Sequence, residues 1–181
     1  MFPNLKNTEV KTSEYKDYLS AGAHTVQIKA VRTSDEVPGY QGTPFFEFTA
    51  ENDNGSVLLK FMGVDSHTSE AAARVRTEIF KSFLMNAGAT NFENGHASAT
   101  SIIGKTLEVC LASREYWTTD KDTDKPVIRT RVEYKFSNPK GKIINFKDSY
   151  NKSLSAEDRA AYERALEFAS GNSNNTVETP F

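Results

Sequence analysis

Between Lys125 and Lys147 the chain carries seven basic side chains and a single acidic one, Glu133. The basic residues are Lys125, Arg129, Arg131, Lys135, Lys140, Lys142 and Lys147. On either side the balance reverses: residues 1–124 hold 12 basic and 17 acidic groups, residues 148–181 three and six. A formal charge of -2 over 181 residues therefore conceals one cationic stretch. Cations in such a run can neutralise successive phosphates, and aromatic faces beside them can stack unpaired bases. Tyr116 and Trp117 stand just before the run, Tyr40 stands in an earlier loop, and Lys60 adds a cation further back. An alternating basic strand is also what an ordinary solvated sheet face carries, so the surrounding elements must decide between the two.

Other chemistries lack their spacing. Gly104-Lys105-Thr106 ends like a phosphate-binding loop, but its first glycine would fall at Ala99 and a strand follows it. His24, His67 and His96 are scattered without metal-ligand spacing, and no metal or cofactor is expected. Asp120, Asp122 and Asp124 are spaced like part of a calcium loop without its glycine or closing glutamate. Cys110, the single cysteine, alternates with core positions of a strand and reads as a buried thiol. No nucleophile and base can be placed together, so the chain reads as non-catalytic.

The elements that must position these groups are legible from periodicity. Val26 and Ile28 alternate with Thr25, Gln27 and Lys29 in a strand at about 23–33. A breaker-rich loop with Pro38, Gly39 and Gly42 leads to a strand at 44–51 holding Phe45, Phe46 and Phe48. Asn52-Asp53-Asn54-Gly55 turns the chain into a third strand, Val57 to Met62. Ala72, Val75, Ile79, Phe83 and Ala87, widened by Phe80 and Leu84, then predict an amphipathic helix over 69–87, with Ser66, Thr68 or Ser69 as N-cap and Gly88 as terminator. A polar loop to Ser101 precedes strands at 105–116 and 127–137, joined by the charged loop Thr118–Lys125. Ile143 to Phe146 suggest a sixth short strand, and a C-terminal helix spans 156–169 with Ser155 as its cap.

Composition bounds the whole. Hydrophobic residues at 38% suffice for one core, and no apolar run approaches the roughly 20 residues of a membrane span. The start of the chain shows no secretion signal, and one cysteine fits a reducing, cytoplasmic setting. Residues 1–20 read as an arm anchored by Phe2, Tyr15 and Tyr18, residues 21–150 as the main domain, 151–169 as a helix and 170–181 as a flexible tail.

Three strands, one helix and two strands is the order of a mainly β, five-stranded OB-fold Greek-key barrel with its helix between strands three and four. Here His24-Thr25-Val26-Gln27-Ile28, Pro44-Phe45-Phe46-Glu47-Phe48 and Ile103-Gly104-Lys105-Thr106-Leu107-Glu108-Val109 resemble the corresponding segments of small bacteriophage single-stranded DNA-binding proteins. The closing residues Glu178-Thr179-Pro180-Phe181 resemble the C-termini of bacterial and phage strand binders, although from Ser170 onward Glu178 is the only acidic side chain. The resemblance implies a protein that coats single-stranded DNA with little sequence preference in phage replication, recombination or repair. It would act in the host cytoplasm, with a homodimer as a compatible assembly. Phosphates would meet Arg129, Arg131, Lys135, Lys125, Lys140, Lys142 and Lys60, and bases would stack on Trp117, Tyr116 and Tyr40. Glu178, Pro180 and Phe181 would dock on polymerase, helicase or other replication proteins. The alternatives are an OB-like adaptor or virion component and a small magnesium-dependent nuclease using Asp120 to Asp124.

Overall fold

The computed structural model describes residues 17–36, 45–90, 92 and 95–171. Five strands form one antiparallel sheet: β1 (Gly22–Thr33), β2 (Phe45–Asn52), β3 (Gly55–Met62), β4 (Thr106–Thr119) and β5 (Pro126–Pro139), in the order β3-β2-β1-β4-β5. Helix α1 (Glu70–Asn86) and the short α2 (Gly95–Ser101) lie between β3 and β4, and α3 (Ala156–Gly171) closes the described chain. This is the expected OB-like order of a β-dominated domain, with the sheet left open between β3 and β5.

The central strand shows how the sheet curls. The first half of β1 pairs with β4, from Gly22 against Leu111 to Gln27 against Thr106, and its second half pairs with β2 up to Thr33 against Phe46. The ladder with β2 slips between Ile28 and Ala30, a bulge that bends the strand where it changes partner. Ile28 also binds the β4 side, its N–H to the Lys105 carbonyl and its carbonyl to the Gly104 N–H. The β2–β3 hairpin follows its sequence signal, with Asn52 facing Gly55 across a two-residue turn.

The alternating inward residues of the sheet meet α1 in an aromatic core. Phe83 lies 4.5 Å from Phe61, 5.0 Å from Phe48 and 5.7 Å from Tyr134, centroid to centroid. Fully burying each such ring contributes roughly 1.5–3 kcal/mol. The Ser69 hydroxyl caps α1 by accepting from the Ala72 N–H, and Gly88 at φ +84° ends it, with the Ala89 N–H returning to Leu84 O and the Gly88 N–H to Met85 O. Asn86 pins that end to β5 by donating to the carbonyl and hydroxyl of Ser137.

The structure corrects several expectations. Val75 and Ile79 are 48% and 43% exposed, and the buried face of α1 is carried by Phe83 and Leu84 instead. Tyr18 is exposed and the anchor of its segment is Leu19, while Phe2 and Tyr15 lie outside the described residues. Residues 95–101, expected as loop, form α2, which sends Ser98 and Ala99 into the interior. Residues 143–146 form no strand. Phe136 packs edge-on against Tyr150, outside the main aromatic core. In β4, Cys110, Leu111 and Ala112 are all buried, and the ladder slips beside them, where Lys135 of β5 is the extra residue between Phe136, opposite Cys110, and Tyr134, opposite Leu111. Burial pushes the Cys110 thiol pKa up, as expected for an enclosed thiol.

Candidate nucleic-acid interface

The β4–β5 hairpin outruns the rest of the sheet. β1 pairs with β4 only as far as Leu111, whereas the β4–β5 ladder continues to Thr119 against Pro126. Along the exposed length of β4 the segment 151–154 takes the place of a neighbouring strand. Lys152 exchanges backbone bonds with Ser113 and Glu115, the Asn151 side chain accepts from the Ser113 N–H, and Glu115 accepts from the Leu154 N–H.

Because side chains alternate across a strand, this ribbon has two different faces. On one, Tyr116 stands opposite Arg129 and Arg114 opposite Arg131, with Glu133 two residues further along β5. On the other, Trp117 stands opposite Ile128 and lies 6.5 Å from the Tyr162 ring of α3. Tyr116 and Trp117, expected to stack bases together, therefore point to opposite faces, and Trp117 is half-buried rather than exposed.

The cation-bearing face is finely paired. The Arg131 guanidinium lies 5.3 Å above the centre of the Tyr116 ring and also binds Glu133, through Nε at 2.7 Å and Nη2 at 2.6 Å. Arg114 approaches the other Glu133 oxygen at 3.8 Å. Arg129 binds Asp120 at 2.8 Å. The Asp120 carboxyl also accepts from the N–H of Asp122 and from the N–H and hydroxyl of Thr123, and these bonds hold its pKa below the usual carboxylate range. Asp120 is thus the organiser of its own turn, where the nuclease alternative needs it to face a metal. Among the described residues no ion pair involves Lys125, Lys135, Lys140 or Lys142, all exposed.

The open seam brings a second cation to this face. A cleft of about 520 Å³ separates the β3 and β5 edges, lined by Leu58, Lys60 and Met62 on one side and Arg131 to Tyr134 on the other. It continues past Leu58 and Arg131 towards Tyr18, and past Met62 and Tyr134 towards Ile79 and Arg76 of α1. Lys60 lies 3.1 Å from Glu47, which also binds Arg32 and is only 2% exposed. From Leu58 to Met62 the furrow is about 14 Å long at the usual strand rise. Half-exposed apolar side chains on its floor and cations on its rims suit an extended polyanion with flat bases.

The expected residues are thus split. Lys60, Arg131 and, beneath Arg131, Tyr116 come together; Arg129 and Lys125 lie toward the hairpin tip, and Lys140 and Lys142 at the far turn. Lys135 sits between β5 and α1, beside Ser82 and Asn86. Phe46 of β2 turns inward onto Phe80 at 5.1 Å. Tyr40, Glu178, Pro180 and Phe181 lie outside the described residues. Arg114, Leu58 and Met62 were not singled out by sequence, although the β4 register would have placed Arg114 on the Tyr116 face.

No family model and no curated protein matches the chain. Among solved structures it is similar to yeast RPA bound to ssDNA, with 11% identity, 92% of each chain covered and a TM-score of 0.30.

Proposed function

We propose that this protein binds single-stranded DNA without catalysis. One observation carries the reading: Lys60 on β3 and Arg131 on β5, far apart in sequence, line the same open seam, and Arg131 lies over an aromatic ring. Phosphates would run along the cation-bearing rims and bases would rest on the apolar floor and the Tyr116–Arg131 stack. Such contacts are indifferent to base identity, so sequence preference would be small and salt sensitivity strong. Within this reading the protein coats phage DNA strands during replication, recombination or repair in the host cytoplasm, and Phe181 with Glu178 and Pro180 docks on replication proteins.

The test is fluorescence anisotropy of a labelled oligothymidine, with duplex DNA of equal length alongside, over a salt series. Saturable binding to the single strand, weakened by salt and much weaker for duplex, is expected. No change in anisotropy with either DNA at low salt would refute the proposal and leave the adaptor reading in its place.

A further inference from the structure

We infer that Glu133 regulates this site as a built-in anionic competitor for the nucleic-acid phosphate, an inference that rests on the single-strand reading above. Each of five cations around the seam and ribbon already lies on a carboxylate: Arg32 and Lys60 on Glu47, Arg114 and Arg131 on Glu133, Arg129 on Asp120. A phosphate arriving at such a cation displaces a carboxylate rather than water, so the affinity is what remains after an ion pair is broken.

The three carboxylates differ in whether they can leave. Asp120 is tied into its turn by Asp122 and Thr123, and Glu47 is buried in the sheet. Glu133 stands on an exposed strand opposite Ala112, and among the described residues its only side-chain partners are Arg131 and Arg114. It can swing aside by rotating its own side chain, with no backbone rearrangement. While in place it holds the Arg131 fork in a fixed position over Tyr116, as a phosphate would. Once displaced it remains beside the bound strand as a like charge, which favours release. The arrangement gives a preformed but masked site, suited to a coat that must come off.

The test replaces Glu133 by Gln, keeping shape and removing charge, in the full chain and again together with Arg131→Gln. Binding to oligothymidine is followed by anisotropy over a salt series, and thermal unfolding by circular dichroism. E133Q should bind about fivefold more tightly near 0.1 M salt, the upper worth of an exposed ion pair that the phosphate meeting Arg131 no longer has to break. Its melting temperature should match the wild type, since exposed ion pairs contribute little. In the R131Q background the gain should fall below twofold, because Glu133 acts through Arg131. Unchanged or weaker binding by folded E133Q, or an equal gain without Arg131, overturns the inference while leaving the binding reading intact. If neither wild type nor E133Q binds a single strand, both fall. If only E133Q binds, the masking is confirmed directly.

Discussion

If one strand of DNA lies in the seam, it must meet cations from both sides, and a pair of substitutions separates this path from one along the ribbon alone. Lys60→Gln and Arg131→Gln each remove one positive charge from opposite rims of the cleft. A phosphate contact to single-stranded DNA contributes about 0.7 to the salt slope, so at 0.1 M salt, one decade below 1 M, it supplies about 0.7 decades of affinity. That is about fivefold, or about 1 kcal/mol. Among the described residues Lys60 lies on Glu47 and Arg131 on Glu133, so the losses should add to about 25-fold in the double variant. Arg131 and Glu133 are both well exposed, so R131Q should melt close to wild type, whereas Lys60 is one of two cations on the buried Glu47, so K60Q should lose some stability and its binding is read at a temperature where circular dichroism shows it folded. The assay is oligothymidine anisotropy at four or more salt concentrations, read as slope and affinity together. A K60Q protein with unaltered slope and affinity, beside an R131Q protein that loses both, would refute the seam path.

Other consequences are open to measurement. Phe83→Ala should lower stability by about 3–5 kcal/mol in urea unfolding, because three aromatic rings lose their shared neighbour. Burial pushes the Tyr134 pKa up to about 12 from 10.0, and a raised pKa favours the neutral phenol in the fold. Its contribution is therefore complete below pH 10 and lost as pH rises through about 12. Urea unfolding should show stability falling by about 2–3 kcal/mol over that window, and Tyr134→Phe should flatten the fall. Gly55→Ala would set a Cβ 2.3 Å from the Asp17 carbonyl oxygen, which itself accepts from the Ser56 N–H. This variant should free the 17–19 segment and speed amide exchange at Leu19 and Ser56, while the β2–β3 ladder stays protected. Tyr162→Ala should shift the emission of Trp117 to the red by admitting water to its ring, with oligothymidine affinity changed less than twofold.

What the sequence disclosed was whatever a short window contains. The Asn52–Gly55 turn, the Ser69 cap and the glycine at the end of α1 each act within a few residues, and all three stand where local chemistry puts them. The alternation of Thr130, Val132 and Tyr134 against Arg129, Arg131 and Glu133 likewise fixed which way the cations face. Longer relations were hidden. Val75 and Ile79 have the spacing of core residues, but which residues of a helix are buried depends on strands remote in the chain. Trp117 reads as an exposed ring until α3, some 40 residues later, covers it. The approach of Lys60 to Arg131 follows from strand order rather than from any motif. Their carboxylate partners, too, belong to the register of whole strands: Glu47 faces Lys60 and Arg32 only once three strands are aligned.

The segment that borders the upper half of β4 also sets an order of events in time. Asn151 reaches Ser113 across 38 residues of chain, so when β4 emerges during synthesis the strand that will flank it has yet to be made. At typical elongation rates the delay is about 2–8 s. Throughout that interval the edge of Ser113 and Glu115 can pair with any other extended chain, since an uncovered strand edge is a general template. The β4–β5 hairpin can zip in microseconds, long before its border arrives. The nascent protein therefore passes through a stage with a folded ribbon and a bare flank, and the burden of keeping copies apart at that stage falls on the ribbon's own charges.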